Sequence, residues 1–358
     1  MRPGHAPFAA IGQACYVKRR HMTWHPPHEG FVMIEVHDLT KRYGENLAVD
    51  HLSFQVEPGR VTGFLGPNGA GKSTTMRLIL GLDHQQSGTA TIDGKQYAQL
   101  ADPLRTVGAL LEAKSVHPGR SARNHLLFLA QTQGIAASRV DETLDLVGLK
   151  DVAGRRAGTF SLGMSQRLGI AAAMLGEPKV LLLDEPVNGL DPEGVAWIRH
   201  LMKYLASEGR TIFVSSHLMN EMAVTADHLI VIGRGKLIAE ASTEEVIARG
   251  SGQSVRVRTP DPAKLTDLVT AEGGKVVAGG NGARPGEAEP AEVLTVTGLP
   301  AARIGELAAS GGVVLHELTP MLATLEDAFL EMTAGSLEFG QHGPGSPEVT
   351  MAAKEQTP

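Results

Sequence analysis

The chain has 358 residues, 42% of them hydrophobic, so it can build one large domain or two ordinary ones around a sizeable core. Its net charge of −6, with no basic block, argues against nucleic acid as a partner, and its single cysteine, Cys15, excludes an internal disulfide and suits a reducing cytosol. No stretch approaches the ~18–20 apolar residues that cross a bilayer, so the chain is expected to have no transmembrane segment of its own.

Residues 1–32 carry scattered Gly, Pro, His and basic side chains without periodicity. Lys18-Arg19-Arg20 is not followed by an apolar segment, which argues against a secretory signal. This stretch reads as a disordered extension, with Met33 as the suspected biological start. Ordered patterning begins there and gives two short strands around a turn, the second being Leu52-Ser53-Phe54-Gln55-Val56. Tyr43 lies in that turn, shortly before the next motif. Its ring could stack on a purine, which is worth roughly 1–3 kcal/mol in nucleic-acid binders, or simply pack on the sheet.

The motif that follows is Gly66-Pro67-Asn68-Gly69-Ala70-Gly71-Lys72-Ser73-Thr74. It sits between an apolar run at 61–65 and a helix-like stretch at 74–80. That is the G-x-x-x-x-G-K-[ST] phosphate loop in its strand–loop–helix setting. Its glycines let successive N–H groups point at one anion, and the helix N-terminus adds partial positive charge. Lys72 is expected on the β- and γ-phosphates, and Ser73 on Mg²⁺.

Beyond a hairpin turn at Asp93-Gly94, the pattern becomes helical from about 115 to 178, an inserted subdomain. Val140, Leu144 and Val147 fall on one helix face. The polar stretch Phe160-Ser161-Leu162-Gly163-Met164-Ser165-Gln166-Arg167 leads into a small alanine-rich helix expected at 168–175. Then Val180-Leu181-Leu182-Leu183-Asp184-Glu185 reads as a buried parallel strand ending in two carboxylates. Open α/β sheets bind ligands at such strand ends. Asp184 is placed to hold Mg²⁺, directly or through water, and Glu185 to orient and polarise the attacking water. Asp191 caps a helix that opens with Pro192. A further buried strand at 211–216 ends in His217, at the same sheet edge as the phosphate loop and the carboxylates, so a γ-phosphate contact is expected there. Strands at 228–232 and 236–239 close the sheet.

Together these residues resemble the ATP-binding subunit of an ABC transporter, over about residues 33–245. In that likeness the stretch at 180–186 matches the second nucleotide motif, Asn188-Gly189-Leu190-Asp191 the loop that bridges the dimer, His217 the switch histidine and Tyr43 the aromatic on adenine. The stretch at 160–167 resembles the family signature, Leu-Ser-Gly-Gly-Gln, but with Leu162 and Met164 in place of Gly and Gln. The resemblance implies a head-to-tail dimer, expected to be of identical subunits, in which Ser161 and the Gly163 N–H meet the γ-phosphate held by Lys72 of the other copy. ATP and Mg²⁺ are the implied cofactors. Glu112 stands where the family has its Mg²⁺-sensing glutamine, which puts a carboxylate near the metal. Such departures resemble those of type-2 exporters of the drug- and antibiotic-resistance kind.

Residues 252–333 predict strand, helix, two strands, helix and strand at about 254–318, a ferredoxin-like order, followed by a terminal amphipathic helix at 322–332. They resemble the accessory C-terminal domain of drug-exporter ATPases. Residues 335–358 are polar and rich in Gly and Pro, and read as disordered. The fold expected is therefore an α/β P-loop ATPase with an inserted helical subdomain and a small α+β C-terminal domain. The expected function is ATP hydrolysis that powers export through a separate membrane permease, from the cytoplasmic face of the cell membrane. Two rivals are an importer ATPase, which shares the chemistry, and a soluble ATP switch acting on ribosomes or DNA. The single phosphate loop and the lack of sustained heptads count against the second rival.

Overall fold

The structure, a computed structural model, describes residues 32–112, 115–249, 254–278, 293–321 and 324–333. The disorder expected at 1–32 and 335–358 lies outside the described residues except at Val32, which is buried, and the loop expected at 279–290 lies outside them too.

The chain opens with a hairpin of β1 (Ile34–Tyr43) and β2 (Asn46–Val56), paired from Ile34 with Val56 to Tyr43 with Asn46. The sequence pattern had placed a long turn at 38–44, but the ladder runs through it. Register shifts absorb the polar residues, with Asp38 at φ 49° and His51 at φ 51°. Such bulges keep turn-like residues inside a strand pair. Tyr43 consequently sits at the hairpin tip.

Next come β3 (Val61–Leu65), α1 (Lys72–Ile79) and β4 (Ser87–Ile92), and β4 pairs with β1 to complete a three-stranded antiparallel sheet. The helical subdomain follows α2 (Pro103–Thr106) and β5 (Val107–Leu110), and consists of α3 (Ala122–Thr132), α4 (Ala137–Leu146) and α5 (Leu162–Met174). Val140, Leu144 and Val147 are buried as their spacing predicts. Helix α5 begins six residues before the expected 168, at Leu162. The reason is local: the Ser161 hydroxyl accepts a hydrogen bond from the Met164 N–H, so the polar stretch caps the helix instead of preceding it.

The remainder of the large domain is β6 (Val180–Asp184), α6 (Pro192–Ser207), β7 (Thr211–Ser216), α7 (Met219–Thr225), β8 (His228–Gly233), β9 (Lys236–Ser242) and α8 (Thr243–Arg249). The central sheet has the order β5-β6-β7-β3-β8-β9, parallel except for β9. Alternate residues of its strands feed two different cores. Leu181, Leu183, Ile212 and Val214 pack among the helices. Val180, Leu182 and Phe213 pack toward the antiparallel sheet and α1. This is the period of two expressed on a sheet covered on both faces. Between the two sheets, Phe54, Phe64 and Phe213 pack ring on ring, with centroids 5.0–5.6 Å apart.

The C-terminal domain comprises β10 (Ser254–Arg258), α9 (Pro262–Ala271), β11 (Lys275–Ala278), β12 (Val293–Thr297), α10 (Ala301–Gly311) and β13 (Glu317–Met321). Its antiparallel sheet, in the order β11-β12-β10-β13, is the ferredoxin-like arrangement, with its own core of Val255, Val257, Leu265, Val269, Leu294, Val296 and Ile304. The last strand starts at Glu317, five residues after the expected 312. Gly312, at φ 62°, ends α10 in the left-handed conformation, and pairing resumes only where Glu317 meets Arg258.

One element changes allegiance. The last helix, α11 (Leu325–Thr333), was grouped by sequence with the small domain, yet it packs on α7, α8 and β9 of the large one. Leu325, Ala328 and Phe329 join the helical core of the large domain. Their spacing marks one apolar helix face, but a periodicity cannot say which core receives it.

Candidate active site

Parallel pairing sets the geometry of the site. Leu65 lies level with Ser216, and Ser215 with Asp184, so β3, β7 and β6 end in one row. The phosphate loop leaves β3 there, Glu185 leaves β6 and His217 leaves β7. Strand β5 ends beside them, Leu110 being level with Leu183, which puts Glu112 at the same edge. Its carboxylate accepts a hydrogen bond from the Ser115 hydroxyl at 3.1 Å.

The phosphate loop is anchored by close backbone approach. Gly71 has φ 103°, and a Cβ there would come within 2.3 Å of the Ala48 carbonyl oxygen on β2, so only glycine fits. The Gly235 N–H donates to the Ala70 carbonyl at 3.0 Å from the other side. Helix α1 starts at Lys72, and its first-turn N–H groups have no partner within the helix. Lys72 is buried, and its Nζ donates to the carbonyls of Gly66 (2.7 Å) and Pro67 (3.2 Å). Burial pushes its pKa down, and the carboxylates of Glu185 and Asp184 push it back up. Ser73 is exposed on the same turn.

Glu185 is held at both ends. It has φ 49°, a conformation costly for a side chain this long and one that concentrates at functional sites. Its N–H donates to the Ser215 hydroxyl at 3.0 Å. Its carbonyl accepts from Gln166 Nε2 at 3.0 Å and from the Asn188 N–H at 3.2 Å. Its carboxylate lies 2.8 Å from His217 Nδ1. An ionised carboxylate only accepts, so Nδ1 carries the proton in this pair. The Ser215 hydroxyl in turn donates to Asp184 Oδ1.

The signature stretch lies against the loop that follows Glu185. Leu162, which replaces a glycine of the usual pattern, rests on Gly189: a Cβ there would meet the Leu162 side chain at 2.3 Å. Gly189 also has φ 75°, so it is required twice over. A Cβ on Gly163 would come within 2.9 Å of the Gly189 carbonyl. Asp191 caps α6, accepting from the Gly194 N–H at 2.8 Å. Ser161, Leu162 and Asp191 are all exposed. Tyr43 stands apart at the hairpin tip, 44% exposed, with its hydroxyl donating to Asp83 at 2.8 Å and Lys41 Nζ 4.8 Å from its ring centre. Burial, then the Asp83 carboxylate, pushes its phenol pKa up.

Thus Lys72, Asp184, Glu185 and His217 come together at one edge. Gln166 and Ser215 also belong to it and escaped the sequence pattern. Neither stands out by its neighbours, since Gln166 lies between Ser165 and Arg167 and Ser215 between Val214 and Ser216.

A family model described as ABC transporter matches residues 49–188, and one described as a domain of unknown function matches residues 253–326. Over 211 residues the chain is 44% identical to the bacitracin transport ATP-binding protein BcrA of Bacillus licheniformis, covering 58% of this chain and 69% of that one. It is 35% identical to the uncharacterized ABC transporter ATP-binding protein YhcH of Bacillus subtilis, covering 87% of this chain and 99% of that protein. The chain belongs to the ABC transporter ATP-binding family. Another relative, the Nod factor export ATP-binding protein I of Burkholderia orbicola, is 37% identical over 66% of this chain and 80% of its own length. Among solved structures, an ATP-binding cassette captured as a dimer in a post-hydrolysis state, bound to ADP and Pi, superimposes with a TM-score of 0.54 at 25% identity, covering 59% of this chain and 98% of that one. The large domain is therefore an ATP-binding, ATP-hydrolysing cassette.

A divalent cation fits this cassette in a particular way. Among the described residues no group of three or more His, Cys, Asp or Glu side chains could hold a metal by itself. The Ser73 hydroxyl and the Asp184 carboxylate instead offer the few hard oxygens that Mg²⁺ takes when phosphates complete its shell.

Proposed function

We propose that this chain powers export of a substrate, of the drug, antibiotic or lipid-like kind, through a separate membrane permease. The observation that carries the reading is a strand edge that gathers Lys72, Asp184, Glu185 and His217 in a chain whose relatives are named for bacitracin transport and Nod factor export. No helix among the described residues is long and apolar enough to cross a membrane; in this reading a separate permease does the crossing and the cassette docks on its cytoplasmic face.

In this reading Lys72 and the loop N–H groups bind the β- and γ-phosphates. Ser73, Asp184 and Glu112 are the residues that would hold Mg²⁺, which would supply charge compensation to the phosphates. Glu185 accepts the proton of the attacking water. His217 has two partners to serve. While Nδ1–H donates to Glu185, a neutral ring leaves Nε2 as an acceptor, which cannot bond a phosphate oxygen. His217 therefore reaches the γ-phosphate either as the imidazolium or after releasing Glu185. Tyr43 stacks on the adenine. Two copies close head to tail, so that Ser161 and the Gly163 N–H of one meet the nucleotide of the other, with Asp191 in the bridging loop. Exposure of Ser161, Leu162 and Asp191 supports that surface as the dimer face.

Co-purification from native membranes, with ATPase activity assayed on the recovered complex, tests the reading. A polytopic partner that raises turnover supports it. Recovery only in the soluble fraction, bound to ribosomes or DNA, contradicts it.

A further inference from the structure

The Ser215 hydroxyl sits between the two acidic residues of the site and touches both. It lies level with Asp184 in the parallel ladder of β6 and β7, fully buried, and this register brings its side chain to the turn after β6. A hydroxyl has one proton to give and lone pairs to receive. The Glu185 N–H can only donate, and the ionised Asp184 can only accept. The order is therefore forced: Glu185 N–H to Ser215 Oγ, and Ser215 O–H to Asp184 Oδ1. The two bonds close a small ring around the peptide between the carboxylates.

That peptide needs holding. Glu185 adopts φ 49°, a left-handed conformation that is costly for a residue other than glycine. Relaxation toward ordinary strand or helix angles would swing its side chain off His217 and change the spacing of the two acids. Strand β7 blocks this from both ends, with Ser215 on the main chain of Glu185 and His217 on its carboxylate. In a buried setting an unmade bond is also costly, since both Asp184 Oδ1 and the Glu185 N–H would lose their partner at once.

We propose that Ser215 is a positioning residue for hydrolysis, which sets the orientation of Glu185 relative to Asp184 and so relative to the metal. This rests on the assignment of Glu185 as base and Asp184 as metal carboxylate. Partners of this kind typically change metal affinity or activity by about 10–100-fold when removed.

The test uses the full chain with Ser215→Ala, and Ser215→Cys as a near-isosteric variant with only a weak donor. Turnover is expected to fall about 10–100-fold in Ser215→Ala, with KM for ATP changed little, and to fall less in Ser215→Cys. Binding of a fluorescent ATP analogue in EDTA should equal wild type, while the Mg²⁺ concentration for half-maximal activity should rise. A double-mutant cycle separates this idea from its premise. In a Glu185→Gln background, Ser215→Ala should cost little further turnover, because the group it positions is already gone. Equal losses in both backgrounds would overturn the proposal even if Glu185→Gln alone behaves as a base variant should. Unchanged Mg²⁺ dependence with weakened EDTA binding would overturn it too, by showing a general packing defect. Should Ser215→Ala not fold, the same comparisons on Ser215→Cys decide the matter.

Discussion

The six-stranded sheet of the cassette and the four-stranded sheet of the C-terminal domain are both packed on helices, yet among the described residues the candidate site lies at the edge of the first. In the cassette the parallel strands β3, β6 and β7 all end at one edge. Three different loops therefore deliver Lys72, Glu185 and His217 to the same edge of the sheet. In the small domain every pairing is antiparallel, so strands that neighbour one another in the sheet end at opposite edges. Its buried residues alternate with half-exposed ones such as Arg256 and Thr295, the mark of a sheet covered on one face. Arg256 and Glu317 come within 3.7 Å there, a pair of the kind worth little to stability. Convergence of strand ends, and not charge or sheet content, is what makes a ligand site.

Changes at the convergent edge should accordingly dominate changes elsewhere. Glu185→Gln should cost roughly 10²–10⁴ in turnover while ATP remains bound, whereas Arg256→Ala on the other sheet should leave turnover within about twofold of wild type. Steady-state ATPase assays on the two variants check this. Lys72→Ala should lose roughly 10²–10³ in turnover, since the buried donor proposed to meet the developing phosphate charge disappears, and nucleotide binding should weaken with it. An equal effect of Arg256→Ala would break the comparison.

Stability should divide along the observed cores and not along the order of the chain. Phe329→Ala, near the end of the described residues, should destabilise the cassette by about 3 kcal/mol, because its ring fills the helical core of that domain. Val257→Ala should unsettle only the small domain. Hydrogen exchange on each variant distinguishes the two, and protection lost from β10 to β13 in Phe329→Ala would contradict the assignment of α11. The smallest effect is expected at the hairpin tip. Tyr43→Ala should weaken ATP binding by about 1–3 kcal/mol if the ring stacks on the base. Binding unchanged would leave Tyr43 as a tether to Asp83.

These contrasts also mark what was legible before the structure. The phosphate loop, the carboxylates after β6 and the histidine after β7 are local patterns, and local patterns carry their own chemistry. So does the β-α-β-β-α-β order of the small domain, which fixes its topology through chain connectivity. Ser215 and Gln166 are different. Each acts across the sheet or between helix and loop, on a backbone group that no sequence spacing reveals. The start of α5 was misplaced because Ser161, read for its contact with nucleotide, also caps the helix. Helix α11 was misassigned because an apolar face states that it is buried but not against what.

The most direct test of the shared site is the oligomeric state of Glu185→Gln, measured by light scattering after chromatography, with and without ATP. A monomer without nucleotide that becomes a dimer with ATP, and returns to monomer when Ser161 is also replaced by a bulky residue, is the predicted result. A chain that stays monomeric with ATP bound, and still hydrolyses it at the wild-type rate, would contradict both the base and the partner-completed site.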